Sequence, residues 1–155
     1  MFQPKSIEFY EQGLEFLAEE KFNQALDALK EAVKIEPGFA DAHMGLAITY
    51  HSLNLFQEAY EEYEIVLKLR PDDVGVLNNI GVLSLELKDY EAARKFFEEA
   101  LKFYPNCYLT HLNLAFLHYK KGDIAKVVEH KEKAEKNFGN FKGPNLIPYR
   151  KKHNS

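Results

Sequence analysis

The sequence has little cysteine and no long apolar run, and both absences limit what the protein can be. Cys107 is its one cysteine, so no internal disulfide can form, and its place close to Pro105 is typical of a turn residue. No segment approaches the roughly 18 apolar residues that a membrane helix needs. Residues 1–5 also lack the basic head and apolar block of a secretory signal. We therefore expect a soluble, cytoplasmic protein with no membrane partner.

Motifs of catalytic centres are absent as well. The sequence has no nucleophile with a helper residue, no glycine-rich phosphate loop and no paired cysteines. His111 and His118 stand seven residues apart on one predicted helix. That spacing is about 10 Å along the helix axis, too far for direct ligation of one metal ion. We expect no catalytic residue, no metal site and no cofactor, and hence not an enzyme.

The net charge is only −4, but the charges are unevenly distributed. Residues 1–107 carry 20 acidic and 10 basic side chains, whereas residues 108–155 carry 4 acidic and 10 basic ones. This asymmetry favours an acidic partner for the C-terminal end or head-to-tail self-association, although exposed lysines that serve only solubility are the commoner explanation. Repeats that read RNA need polar, partly basic first helices, and these are largely apolar or acidic here. We therefore expect no nucleic-acid partner.

Three prolines, Pro37, Pro71 and Pro105, stand 34 residues apart and mark a repeat. A period of 34 residues with helical patterning is typical of solenoids, whose units bury their apolar faces only by stacking on one another. The repeats run over residues 6–39, 40–73, 74–107 and 108–141, and short breaks divide each into two antiparallel helices. The predicted helices span residues 6–19, 22–35, 40–53, 56–69, 74–87, 90–103, 108–121 and 124–137.

Small and bulky residues recur at fixed places in the second helix of each repeat. Small side chains let two helices approach closely, and a bulky neighbour fills the space that they leave. The first small column is Ala25, Ala59, Ala93 and Val127, the second is Ala32, Val66, Ala100 and Ala134, and the bulky column is Leu29, Tyr63 and Phe97. The fourth repeat has Lys131 in the bulky column, which is expected where no further repeat stacks.

The glycines, aromatics, alanines and prolines of this frame share one register, and Gly13, Gly81, Phe16 and Tyr50 belong to it. That register resembles the tetratricopeptide repeat over residues 6–141. The resemblance implies an all-α fold, a right-handed solenoid of antiparallel helix pairs that forms a single repeat domain over residues 1–155. The sequence departs from the family where histidine replaces a usual aromatic, as at His43 and His111. We expect a buried or half-buried packing residue there.

The resemblance also implies a concave groove, lined by the first helices, that takes a peptide or helix from a partner. Most residues at the matching helical phase are apolar, which is unusual for an exposed surface unless a partner or the chain itself covers it. Leu14, Ile48 and Val82 are also compatible with a purely structural place between repeats. The expected groove residues are Tyr10, Leu14, Met44, Ile48, Asn78, Asn79, Val82, Leu109, Leu112, Asn113, Phe116 and Tyr119.

Two groove chemistries known in the family can be compared with these positions. Chaperone-tail binders clamp a terminal carboxylate with Lys, Asn and Arg of the first helices. The matching positions here are Tyr10, Leu14, Gly45, Gly75 and Asn79, which cannot hold a carboxylate. Asn79 and Asn113 recur one repeat apart and resemble a short piece of the asparagine ladder with which sugar-transferring members grip a peptide backbone.

These observations predict a protein–protein interaction adaptor or chaperone-like module whose groove binds an apolar or amphipathic segment of another protein. The alternative is a structural or self-assembling repeat protein, a homo-oligomer whose groove or tail packs on another copy. Residues 142–155 form a basic tail that Gly143, Pro144 and Pro148 prevent from becoming a long capping helix. We expect Phe141 and the apolar residues of that tail to cover the end of the array.

Overall fold

The computed structural model describes residues 1–138, and every regular element in that range is an α-helix. The second helix of each repeat has the predicted bounds, and the first helices differ from them by at most two residues. Among residues 1–138 none of these helices combines the length and apolarity required to cross a bilayer. The helices are α1 (Pro4–Ala18), α2 (Phe22–Ile35), α3 (Ala40–Ser52), α4 (Phe56–Leu69), α5 (Val74–Glu86), α6 (Tyr90–Phe103), α7 (Tyr108–Lys121) and α8 (Ile124–Asn137).

The chain divides into two compact units, a first unit of Met1–Pro71 with α1 to α4 and a second unit of Asp72–Ser155 with α5 to α8. The boundary falls at the second of the three repeat prolines, so each unit holds two repeats. Within each repeat the two helices pack on each other. Successive repeats of one unit pack chiefly through α2 against α3 and through α6 against α7. The continuous single domain implied by the resemblance stays a prediction.

The helix ends follow from local chemistry. Three helices of the second unit begin after an aspartate whose carboxylate accepts a backbone N–H three residues later at 3.0–3.2 Å, namely Asp73, Asp89 and Asp123. The second helices α2, α4 and α6 each end two residues before a repeat proline. Proline disfavours the helical conformation in the residue that precedes it, so it sets these ends.

The turn inside each helix pair contains one residue in the left-handed conformation. These residues stand 34 apart, at Glu20, Asn54, Lys88 and Gly122, with φ of 57°, 60°, 62° and 75°. Glycine adopts this conformation freely and asparagine tolerates it, whereas other side chains are strained there by about 1–2 kcal/mol. The backbone is therefore strained at Glu20 and Lys88, because each has a side chain in the left-handed conformation.

The predicted small and bulky columns form the contact between the helices of a pair. Ala25, Ala59 and Ala93 are fully buried, and so are the bulky Leu29 and Phe97. A Cβ added to Gly13 would lie 2.6 Å from Leu29 Cγ, and one added to Gly81 would lie 2.4 Å from the Phe97 ring. Because both distances are shorter than any real carbon contact, the two glycines are required by packing.

The last helix of the second unit is less covered than the others. Lys131 is exposed, as expected for a terminal repeat, and Val127 is only half-buried. Ile124 and Val128 on α8 are also exposed. Phe138 is the last residue described, and its ring makes an edge contact with Tyr108 at 5.4 Å. The tail that was predicted to cover this end lies outside the described residues and stays a prediction.

Replacing Ala93 by leucine should destabilise the protein by roughly 1–3 kcal/mol, because extra methylenes would enter a contact with no free space. Ala125→Leu is the matched control, since Ala125 is exposed on α8 and a larger side chain there meets water. Denaturant titrations of both variants and of the wild type measure the effect. An unchanged midpoint for Ala93→Leu would contradict the packing described here.

Replacing Lys88 by glycine should instead stabilise the protein by about 1 kcal/mol, because it removes a strained Cβ at positive φ. Lys88→Ala is the control, since alanine removes the long side chain but keeps the Cβ and the strain. The same titrations apply. Equal stability of the glycine and alanine variants would show that backbone strain at this turn is not the cause.

Candidate peptide-binding surface

In the first unit, one face of α1 presents apolar side chains. Leu14 is 41% exposed and Ile7 is 36% exposed, and the half-buried Tyr10 stands between them at helical spacing. On α3, the predicted groove residues Met44 and Ile48 are half-buried. Leu14 is thus open to solvent and is not buried between repeats.

An aromatic and charged cluster surrounds Tyr10. Its ring lies 4.9 Å from that of Phe39, which also stacks on Phe2 at 4.4 Å. Arg70 donates two hydrogen bonds to the carboxylate of Asp41, at 2.7 and 3.0 Å. Burial and then the charge of Asp41 raise the pKa of the Tyr10 hydroxyl, with Arg70 acting in the opposite direction. The phenol therefore stays protonated and can donate a hydrogen bond to a ligand. Sequence reasoning found Tyr10 but missed these partners.

In the second unit, α7 carries the most exposed apolar stripe of the predicted surface. Leu112 is 40% exposed and Tyr119 is 63% exposed, and the half-buried Phe116 lies between them, four and three residues away. Leu109 is half-buried at the start of the same helix. The Lys120 ammonium lies 5.2 Å from the centre of the Phe116 ring, a favourable cation–π distance. The stripe therefore joins apolar area to one basic group.

The polar groove residues predicted on α5 and α7 are placed differently. Asn78 and Asn79 are 1% exposed, and Asn113 is also buried. The Asn78 amide donates to the Val74 carbonyl at 3.0 Å and to Thr110 Oγ1 at 2.8 Å. Asn113 donates in turn to Asn78 Oδ1 at 3.3 Å. A buried amide has to be satisfied, so this pair joins α5 to α7.

The placement of the asparagines changes the ladder hypothesis. The observed link pairs Asn113 with Asn78, whereas the sequence predicts that Asn79 and Asn113 bind the backbone of a peptide. Val82, another predicted groove residue, packs in the core of the second unit with Phe97 and Leu114. This is the structural place that sequence reasoning had kept open for Val82. The accessible part of the predicted surface is thus apolar.

A histidine with a polar partner on the next helix occurs at equivalent places in the two units. In the first unit, His43 Nε2 lies 2.9 Å from the Pro37 carbonyl and Nδ1 lies 2.6 Å from a Glu62 carboxylate oxygen. In the second unit, 68 residues later, His111 Nε2 lies 2.9 Å from the Pro105 carbonyl and Nδ1 lies 3.1 Å from His130 Nδ1. His43 and His111 are buried, as expected for packing residues.

The two pairs shift the pKa of their histidines in opposite directions. Burial alone would lower the pKa of His43, but the hydrogen bonds to Glu62 and Pro37 and the Glu62 charge together raise it above its usual 6.5. Burial and the neighbouring His111 lower the pKa of His130 to about 4, with His118 and Lys133 adding to the decrease and Glu129 opposing it. His111 has a lowered pKa as well, mainly through burial.

These shifts predict opposite pH dependence for two matched variants. His43 adds stability that is complete below pH 6.5 and is lost as pH rises through its raised pKa. His130 opposes protonation, so its unit loses stability as pH falls from 6.5 towards about 4. Between pH 7.5 and pH 5, His130→Gln should therefore lose less stability than the wild type, and His43→Gln should lose more. Denaturant titrations at about pH 7.5 and at about pH 5 check this. Equal losses of stability in the two variants would contradict it.

Two shallow cavities lie away from the predicted surface. One, of about 280 Å³, is bounded by Phe9, Phe16 and Ala28 with polar neighbours on α1 and α2. The other, of about 420 Å³, is at the equivalent place in the second unit, against Leu77, Ala92 and Phe96. Their recurrence follows from the repeat, and none of the twelve predicted groove residues lines either one.

Comparison with known proteins places these features in a family. Two family models, each described as tetratricopeptide repeat, match residues 16–78 and 75–107. The chain is 32% identical over 124 residues to the type IV pilus assembly protein PilF of Pseudomonas aeruginosa, covering 79% of this chain and 49% of that protein. It is 31% identical over 103 residues to human protein O-mannosyl-transferase TMTC1, covering 64% of this chain and 12% of the transferase.

Solved structures give the same fold. The structure of Pseudomonas aeruginosa pilF has a TM-score of 0.78 at 29% identity and covers 88% of this chain and 63% of its own. The first tetratricopeptide domain of Spaghetti (RPAP3), bound to an HSP90 peptide, has a TM-score of 0.72 at 19% identity and covers 79% of this chain and 99% of its own. The chain spans at most about half the length of the curated relatives reported above.

Proposed function

This chain belongs to the tetratricopeptide repeat family, and we propose that it is a protein–protein interaction module that binds an apolar or amphipathic segment of another protein. The observation that carries the proposal is the stripe of Leu112, Phe116 and Tyr119 on α7. Their spacing of four and three residues keeps them on one helix face, and two of them are exposed. An amphipathic helix of a partner presents its own apolar residues at this spacing.

The apolar character of the surface argues for the type of ligand. The RPAP3 domain was solved with an HSP90 peptide, SRMEEVD, that carries three acidic residues. At the positions of this chain that match the family's carboxylate clamp, the side chains include Tyr10 and Leu14 and offer no cation. We therefore expect this chain to take an apolar segment in preference to an acidic tail. A chaperone-like role and a cytoplasmic location belong to the same proposal.

The apolar stripe on α7 is suited to binding a partner through contact area. An exposed aromatic flanked by aliphatic residues supplies contact area, and a few such side chains carry most of the binding energy at interfaces. The Lys120 ammonium over Phe116 adds a polar group that fixes the orientation of a segment bound on this stripe. A transferase activity like that of TMTC1 is not part of the proposal, because the match covers 12% of that protein.

The test is selection of binding peptides from a displayed peptide library on the wild-type protein, followed by affinity measurements on variants. Phe116→Ala and Leu112→Ala should each weaken the selected peptides by about 1–3 kcal/mol, roughly 5- to 150-fold. Doubling the salt concentration should change the affinity little, because the contact is mainly apolar.

Leu69→Ala is the matched control, because Leu69 is 44% exposed but lies on the second helix α4. It should leave the affinity unchanged. A peptide whose binding ignores Phe116→Ala and Leu112→Ala but collapses with salt would move the site to the basic C-terminal end. A dimer in solution that Leu112→Ala dissociates would favour the self-assembling alternative.

A further inference from the structure

The bulky residue of each second helix marks the surface on which the following repeat stacks. In the first unit, a Cβ added to Gly45 of α3 would lie 3.0 Å from a methyl carbon of Leu29 on α2. In the second unit, Phe97 of α6 packs in one core cluster with Leu117 of α7. Gly45 and Leu117 are the sixth and tenth residues of their repeats. The bulky column therefore meets the sixth and tenth positions of the next first helix.

On α8 the same surface is open to solvent. Lys131 stands in the bulky column and is exposed. Ile124 and Val128 precede it by seven and three residues, so all three side chains share one helix face. They are 60% and 49% exposed, and Val127 beside them is half-buried. This face of α8 is thus apolar towards its beginning and carries a cation at its centre.

The first helix of the chain has carboxylates at the positions that a stacked repeat would cover. Glu8, Glu11 and Glu15 are the third, sixth and tenth residues of the first repeat, and all three are exposed. The later first helices that can be compared have uncharged, buried residues there, namely Ala42, Gly45 and Thr49 on α3 and Thr110, Asn113 and Leu117 on α7. The acidic face of α1 is therefore specific to the first repeat.

The repeat register aligns the cation of α8 with these carboxylates. A first helix that stacks on α8 places its sixth and tenth residues against Lys131, as the contacts inside the two units show. When that helix is α1 of another copy, the two residues are Glu11 and Glu15. They stand one helical turn apart, so both carboxylates can approach one ammonium. Within residues 1–138 none of these three side chains belongs to an ion pair.

The remaining charge on this face of α8, Glu135, does not oppose the alignment. It stands at the place of Val33, which packs against the cluster of Phe39 and Ala42 in the first unit. The equivalent residues of a second copy carry one charge of each sign, Lys5 and Glu8. Glu135 therefore has a cation as well as a carboxylate within reach.

We propose that the exposed face of α8 binds α1 of a second copy of this chain, head to tail, with Lys131 paired to Glu11 and Glu15. Polar end repeats serve solubility in many arrays, but solubility does not require opposite signs at positions that meet in register. The balance of charge over the whole chain has the same polarity, acidic over residues 1–107 and basic over residues 108–155. Such complementarity orients two copies before they touch.

The proposed contact joins two different surfaces, so each copy keeps one surface of each kind for a further copy. It covers one face of a single helix on each side, which is typical of weak and reversible interfaces. The apolar stripe on α7 takes no part in it. The inference is thus separate from the binding of a partner segment on that stripe.

The test is sedimentation velocity of the full chain over a range of concentrations at low salt. The weight-average mass of the wild type should rise with concentration up to about 1 mM, as expected for a weak interface. Lys131→Glu and Glu11→Lys should each weaken association at least about tenfold, because like charges then face each other. Lys136→Glu is the matched control, since Lys136 is exposed on the same helix but lies about 140° around its axis from Lys131. Its association should stay within about twofold of the wild type.

A mixture of the two charge variants provides an independent arm. An equimolar mixture of Lys131→Glu and Glu11→Lys should associate, although neither does so alone, because each end of one variant meets the opposite charge on the other. Circular dichroism establishes that each variant is folded. Leu112→Ala separates this proposal from the proposed function, since it should weaken peptide binding and leave association unchanged.

Three results would overturn the proposal. The first is a wild type that stays monomeric over the whole concentration range, and the second is a mixture that associates no more than its components. The third is an association that Lys136→Glu weakens as much as Lys131→Glu, or that only Leu112→Ala abolishes. A monomer whose α8 amides lose their protection from hydrogen exchange when residues 139–155 are removed would assign the face to the chain's own tail instead.

Discussion

The close approach of the two helices in each repeat is the contact on which the rest of the molecule depends. Gly13 lies against Leu29, and Gly81 lies against Phe97, at distances that leave no room for a methyl group. Bulky side chains of the second helix therefore seat on the bare backbone of the first. Because this contact fixes the rotation of α1, it also decides which residues of α1 are left exposed.

That exposed face has a different character from the buried polar links beneath it. Leu112 and Tyr119 are accessible on α7, whereas Asn78 and Asn113 are buried and bonded to each other. The amides hold α5 and α7 in register, whereas the apolar side chains of α7 stay exposed.

The pairs His43–Glu62 and His111–His130 show how one position of the repeat can change the protonation of a buried histidine. The same histidine and the same proline carbonyl occur in both units, and the residue facing the histidine on the second helix is Glu62 in one and His130 in the other. A carboxylate favours the protonated ring, and a second imidazole in a buried place disfavours it. A single difference between repeats, Glu62 or His130, therefore decides whether the pKa of the buried histidine is raised or lowered.

The sequence by itself determined the repeat period, the helix bounds and the packing columns, since these depend on spacing along the chain and on local rules for proline and small residues. It also predicted the apolar positions of α1 and α7. Only the tertiary structure decided that Val82 belongs to the core, that Asn113 is bonded to Asn78 and that His130 meets His111. Those facts depend on how side chains of different helices meet in space, and helical phase on one element cannot supply that register.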